Sequence, residues 1–489
     1  MSATTKLAIS SLLCLGLSPR AFAWTAAEPQ LPRLDQSSWQ QSLDQVPQHT
    51  REETGRQATE EWPYGPLKTR GRDIVNNRGE VVTWTGANWP MNDETTLPEG
   101  IEFNSVGSIL SQVASVGFNF VRMGYAFEMV DQIYDREGQD VSLELSMIMG
   151  LGLENGTRVT QEVLKHNPNW TTTTTRFEIW ADVVQKAYNK GIFIHPDLHV
   201  GRAMWCCSHT DGNAWFDDLY FSTCQWHRAL AYIATWARRF PNIVSMSLRN
   251  ELRESWNRTD LYYNWETLVG NMTAGADTIH NANPDLLITW SGMQYDEDLS
   301  ALTSVGKNIL TAPCYKCTAI VDRARRDPVY FDLDSYPWGK DKLVWELHLY
   351  NTSEDVDTGT CDIIKAGLYR NGFNALGIDA PVAGCDLTGD CPPAQRLTPV
   401  ILSEFGQTPE DDSIYTNELL NCIRSFTTQN RVSWAMWSLA GYFRVRQGIQ
   451  GFVDPKGMFN TTFNGWHDAS VVEKWWKPWV SAMNGTKKY

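Results

Sequence analysis

Eight short runs rich in β-branched and aromatic residues punctuate the chain, and they constrain its fold more than any other feature. They are Val82–Asn88, Phe118–Ala126, Ile192–Val200, Val244–Glu251, Leu286–Met293, Leu343–Tyr350, Val400–Gly406 and Val432–Gly441. Each is apolar almost throughout, the pattern of a parallel strand covered on both faces. Parallel neighbours need long crossovers, and the intervening segments supply them. Ser105–Val116, Arg176–Lys190, Cys224–Arg239, Trp265–Asn281 and Asn417–Gln429 carry helical spacing, and Val471–Met483 closes the series. In Arg176–Lys190, for example, Trp180, Val183, Val184 and Ala187 fall on one helix face. Strand–helix alternation specifies a parallel sheet with covering helices, and eight strands favour a closed ring. The expected fold is α/β, a single (β/α)8 TIM barrel with long loops on its active face.

Residues 1–23 read as a secretory leader. Lys6 precedes the apolar stretch Leu7–Leu17, and Ala21-Phe22-Ala23 forms a small-x-small cleavage site. The stretch is too short for a membrane span, so no membrane association is expected. Residues 24–62 are rich in Gln, Glu, Pro and Ser, the composition of a loosely docked arm. Residues 63–489 then form the barrel domain. The formal net charge is −15, and losing the basic leader makes it more negative. Such a surface repels phosphate backbones, which argues against nucleic acid and for a neutral substrate.

Export makes disulfides the default for the cysteines beyond the leader: Cys206, Cys207, Cys224, Cys314, Cys317, Cys361, Cys385, Cys391 and Cys422. Their number is odd, so one thiol is left over. Cys314 and Cys317 are expected to form a disulfide rather than half a zinc site, since no second CxxC or histidine pair accompanies them. Asn-x-Ser/Thr sequons at Asn155, Asn169, Asn257, Asn271, Asn351, Asn460 and Asn484 suit a secreted glycoprotein.

Polar side chains close the runs: Arg122, His199, Asn250 with Glu251, His348 with Tyr350, Glu404, and Trp437. In a (β/α)8 barrel those strand ends line the active-site face. The two glutamates end the fourth and seventh runs, which face each other across the mouth of an eight-membered ring. Paired carboxyls are what cleavage of a glycosidic bond requires. One protonates the leaving oxygen, and the other attacks the anomeric carbon or activates water.

With these motifs in order, the chain resembles glycoside hydrolase family 5. The resemblance implies a retaining enzyme with Glu251 as general acid/base and Glu404 as nucleophile. It implies that Arg122 contacts the nucleophile and that His199, in Pro-Asp197-Leu-His199, lines the subsite of the cleaved sugar. His348 and Tyr350 match the family's His-x-Tyr pair, and Trp437 its sugar platform. The chemistry fits these roles. Asn250 can hydrogen-bond the sugar 2-hydroxyl, Arg122 keeps Glu404 ionised, and Tyr350 can donate to the same carboxylate. Glu251 is expected to have a raised pKa, and the carboxyl separation to be about 5–5.5 Å. His195 is expected to be structural.

The chain also departs from the family. Leu252 stands where many members carry Pro. The aromatic segment Gly201–Asp218, with adjacent Cys206 and Cys207, and the insertion Asn351–Thr398 would reshape the cleft. The 22 Trp suit a carbohydrate ligand. Trp89, Trp205, Trp215 and Trp437 fall on the active side, whereas Trp475, Trp476 and Trp479 are expected to pack the last helix.

The expected function is that of a secreted, monomeric glycosidase cleaving a β-linked polysaccharide, as an endo-β-1,4-glucanase. The alternatives are an exo-acting β-glycosidase or a β-mannanase of the same fold, and a non-catalytic carbohydrate-binding protein. The last predicts loss of a glutamate, and both are present. No cofactor and no metal are expected. His195, Asp197 and His199 share one strand face, but other strands offer no matching ligands.

Overall fold

A computed structural model describes residues 59–305, 331–350, 360–381, 384–385, 391–406, 408–409 and 418–484. The leader, most of the arm, Cys314, Cys317 and Asn351 lie outside the described residues. Eight parallel strands form one sheet: β1 (Thr85–Pro90), β2 (Phe120–Ala126), β3 (Phe193–Val200), β4 (Ser245–Ser247), β5 (Leu287–Ser291), β6 (Leu343–Leu349), β7 (Val400–Phe405) and β8 (Ser433–Met436). Each apolar run carries one of them. Their spatial order is β3-β2-β1-β8-β7-β6-β5-β4. A parallel bridge between Ile194 and Ile243 joins β3 to the residues leading into β4, nearly closing the barrel. The strands are shorter than the runs at β4 and β8, because the last residues of those runs leave the ladder to carry the mouth.

The helices are α1 (Val106–Val116), α2 (Glu128–Asp135), α3 (Leu143–Leu151), α4 (Leu153–His166), α5 (Arg176–Tyr188), α6 (Thr223–Ala237), α7 (Trp265–Ala282), α8 (Cys361–Asn371), α9 (Glu418–Asn430) and α10 (Lys477–Asn484). Their starts are encoded locally. Ser105, Ser222 and Asn264 accept backbone N–H groups at the first turns of α1, α6 and α7, and Thr175 with Glu178 forms a capping box on α5. The chain inserts α2, α3 and α4 between β2 and α5, a stretch the periodicity left unassigned. The expected terminal helix is interrupted by a wider turn at Val472–Trp476 before α10. Trp475, Trp476 and Trp479 are fully buried there, as expected.

The barrel interior has two layers. Trp84, Phe120, Phe193, Val244, Leu287, Val344 and Ile401 fill its lower end, and Leu67 and Ile74 plug it from below. The plug belongs to an antiparallel ribbon, Lys68–Arg70 with Asp73–Val75. Above this apolar floor the interior turns polar, with Arg122, His195, Asp197 and Glu346 buried among the strands. Disulfides join Cys206 to Cys207, Cys361 to Cys422 and Cys385 to Cys391, and Cys224 is also disulfide-bonded. None of the described cysteines is free. No helix among those residues is long and apolar enough to cross a membrane.

Candidate active site

Register places Asn88 on β1 beside Arg122 on β2, and Arg122 beside His195 on β3. Arg122 is buried and uses its whole guanidinium. Its Nε donates to Glu346 Oε1 (3.1 Å), and Nη1 to Asn88 Oδ1 (2.9 Å) and Glu404 Oε2 (3.1 Å). Its Nη2 donates to Asp197 Oδ1 and Asn250 Oδ1, both at 2.8 Å. One planar fork therefore ties β1, β3, β6, β7 and the residues after β4 together. Burial works against ionised Asp197 and Glu346, but Arg122 overrides it and holds both below the ordinary carboxylate range. Thr289 donates to the second oxygen of Glu346 at 2.6 Å.

The two glutamates are held by different groups. Glu404, on β7, receives Arg122 on one oxygen and the Tyr350 hydroxyl on the other, at 2.8 Å. Glu251 leaves the end of β4 with φ +46°, a left-handed conformation that a β-carbon disfavours. Asp296 holds it there, its carboxylate accepting the N–H groups of Glu251 (2.6 Å) and Leu252 (3.3 Å). His348 Nδ1 lies 3.2 Å from Glu251 Oε1, and its Nε2 lies 4.0 Å from Glu404 Oε2. An oxygen of each glutamate and a ring nitrogen of His348 all fall within 4.8 Å of one another. These three atoms are also near enough to share a cation.

The raised pKa expected for Glu251 is not what the structure gives. Burial pushes the carboxyl up, but the hydrogen bond and charge of His348, with Arg253 and His199, bring it below its ordinary value. His348 moves the opposite way. Burial would lower it, but Glu404, Glu251 and Asp296 raise it to about 9. The resting proton of the pair thus sits on His348. Burial also pushes Asp296 up to about 8, against the pull of His348 and with the help of Glu346 and Glu251. Asp296, Glu346 and Asn88 were not singled out from the sequence. Asp296 follows two other residues with positive φ, Gln294 and Tyr295, a turn whose shape no local motif announced.

The cellulase model of glycosyl hydrolase family 5 matches residues 75–442. The chain belongs to this family. A glycosyl hydrolase 5 family protein of Chamaecyparis obtusa is 30% identical over 410 residues, covering 81% of this chain and 62% of that protein. An endoglucanase of Paenibacillus polymyxa is 21% identical over 379 residues, covering 77% of this chain and 80% of that one. The fold is similar to that of an endocellulase from Pyrococcus horikoshii, with a TM-score of 0.56 at 16% identity, covering 85% of this chain and 98% of that chain. It is also similar to the catalytic domain of an endoglucanase from Xanthomonas campestris pv. campestris, with a TM-score of 0.53 at 13% identity, covering 86% and 100%.

In this family 5 barrel, the remaining sequence candidates separate into two groups. His199 Nδ1 pairs with Asp197 Oδ2 at 2.7 Å, and its ring stacks on Trp437 with centroids 5.6 Å apart. Trp205 meets Trp437 edge-on and lies under the Arg446 guanidinium at 3.9 Å. These side chains line the mouth. Trp89 and Trp215 do not, because both are fully buried, with their N–H groups on the backbone oxygens of Glu99 and Tyr262. Their rings offer no face to a sugar. His195 lies in the polar layer below, 2.8 Å from Ser245 Oγ, where burial pushes it down to about 4. It does not gather with Asp197 and His199 around a common point.

Proposed function

We propose that the chain is a retaining glycosidase that cleaves β-1,4-glucan internally. The observation that carries this reading is the pair Glu251 and Glu404, whose nearest oxygens face each other within 4.8 Å. That approach suits the roughly 5–5.5 Å carboxyl spacing of retaining enzymes and leaves too little room for the water of an inverting one. Glu404, held between Arg122 and Tyr350, attacks the anomeric carbon. Glu251 protonates the leaving oxygen and later deprotonates the attacking water.

The proton for the first step is already within the site. Transfer from His348 to Glu251 converts an ion pair into two neutral groups. A sugar that expels water from the mouth favours that exchange, because desolvation penalises charge. The endoglucanase relative and the Pyrococcus endocellulase, which has also been captured with cellotetraose, support the choice of β-glucan. Export follows from the leader reading of residues 1–23, and the disulfides suit an oxidising compartment.

The test is hydrolysis of a panel of β-glycans and aryl β-glycosides, with the anomer of the first product followed by NMR. A β-anomer appearing first, with internal cuts in long chains, supports the proposal. An α-anomer first would refute retention. Monomer released only from chain ends would replace the endo reading with the exo one.

A further inference from the structure

We propose that the Cys206–Cys207 disulfide is a sugar-contacting wall of the cleft, packing against the pyranose on the side of its 2-hydroxyl. The inference rests on the glycosidase reading and adds to it a determinant of substrate fit. Both sulfurs lie 3.8 Å from the amide nitrogen of Asn250. They also lie within 4.8 Å of a carboxylate oxygen of Glu251. A sugar placed to receive the Glu251 proton therefore comes against them. Asn250 has its oxygen committed to Arg122, and among the described residues its buried nitrogen meets only sulfur, a weak acceptor. A sugar hydroxyl is a better acceptor and takes that place on binding.

The wall is built rigidly. Cys206 is buried against Ala126, Val200 and Ala203, while Cys207 is half-buried. On one side Trp205 is held between Trp437 and Arg446. On the other, the Ser208 carbonyl accepts from Arg253 Nε at 2.8 Å. The disulfide itself has no N–H or O–H to offer. Its soft, polarisable surface suits C–H groups better than hydroxyls.

A purely stabilising role explains this bond poorly. Cross-links stabilise by closing loops of the unfolded chain, more so for longer loops. The Cys361–Cys422 bond spans 61 positions, whereas Cys206 and Cys207 are adjacent and enclose almost nothing.

The experiment compares the parent with Cys206→Ala/Cys207→Ala and with Cys206→Ser/Cys207→Ser, which nearly restores the volume but adds hydroxyls. Steady-state kinetics on cello-oligosaccharides are read beside calorimetric binding of the same sugars in a Glu251→Gln background. The expected result is a rise in KM and Kd on the order of tenfold, the scale of a lost apolar contact in a sugar pocket, with melting temperature changed less than by removing the Cys361–Cys422 bond. Should the alanine pair fail to fold, the serine pair carries the same expectation. KM and Kd within twofold of the parent would overturn the proposal and leave the bond a local staple. A parent that cleaves no glycan, or a Glu251→Gln variant as active as the parent, would instead bring down the glycosidase reading and this inference with it.

Discussion

Arg122 and Arg444 are alike in that each is a buried arginine facing three carboxylates. Arg122 meets Asp197, Glu346 and Glu404, and Arg444 meets Asp93, Glu99 and Glu102. Arg444 sits on the ribbon Tyr442–Arg446 with Ile449–Val453 that follows β8. It also donates to the backbone oxygens of Leu97 and Pro98, stitching the loop after β1 to that ribbon. Its acids form a closed cluster in which burial pushes Glu99 well above the ordinary range. At Arg122 one acid, Glu404, is shared with Tyr350 and faces a second glutamate governed by His348. Buried charge alone therefore does not mark a reactive site. Two opposed carboxylates under separate control, at a mouth that loops can reach, do.

Substitutions at the two clusters can break this comparison. The largest effect is expected at Glu404→Gln, with kcat falling at least ~10^4-fold, the scale of removing a nucleophile. Glu251→Gln is expected to cost ~10^2–10^4-fold, as for an acid/base group. Both should keep their melting temperature, and activity retained by either would undo the contrast. Next come the arginines. Arg444→Gln should destabilise by about 3–5 kcal/mol in urea unfolding, through the buried acids left unpaired, with kcat of the folded enzyme within a few-fold. Arg122→Gln should lose both stability and turnover. Equal catalytic losses at the two arginines would show that the clusters do not differ as argued.

Tyr350→Phe sharpens the picture on a smaller scale. It removes one hydrogen bond to a charged oxygen, worth about 1.5–3 kcal/mol, so kcat should drop about 10–100-fold while Arg122 still holds Glu404. The smallest effect concerns pH. Asp296 and His348 have folded-state values raised to about 8 and about 9, so the folded chain binds their protons more tightly than the unfolded one. Their contributions are most favourable below the ordinary values. Stability should fall as pH rises through 8 for Asp296 and through 9 for His348. Urea midpoints between pH 5 and 9 should decline in the parent and decline less in Asp296→Asn. An equal slope in both would separate Asp296 from the site.

The barrel was legible because its signals are local. Eight apolar runs and the helical spacing of the segments between them each act within a few positions of themselves. Glu251, Glu404 and Tyr350 were legible because they lie at or next to the ends of those runs, and a parallel barrel delivers strand ends to one face, whereas Arg122 sits early in β2 and reaches the site by its length. The inserted α2 and α4 do carry helical spacing, in Met129, Val130 and Ile133 and in Gly156, Val159, Thr160 and Val163, but they lie outside the strand–helix alternation by which the chain was read.

The sequence by itself determined which strands form and which residues they carry to the mouth. Only the tertiary structure decided how charge is distributed there. Arg122 answers to acids 75, 224 and 282 positions away, and Glu251 is turned by Asp296, 45 positions on. Proton placement follows distances and burial among such remote groups, so His348 rather than Glu251 holds the resting proton. For the same reason Trp89 and Trp215, aromatic and on the right side of the chain, end in the core. Periodicity reports which face a side chain takes, while packing decides what covers that face.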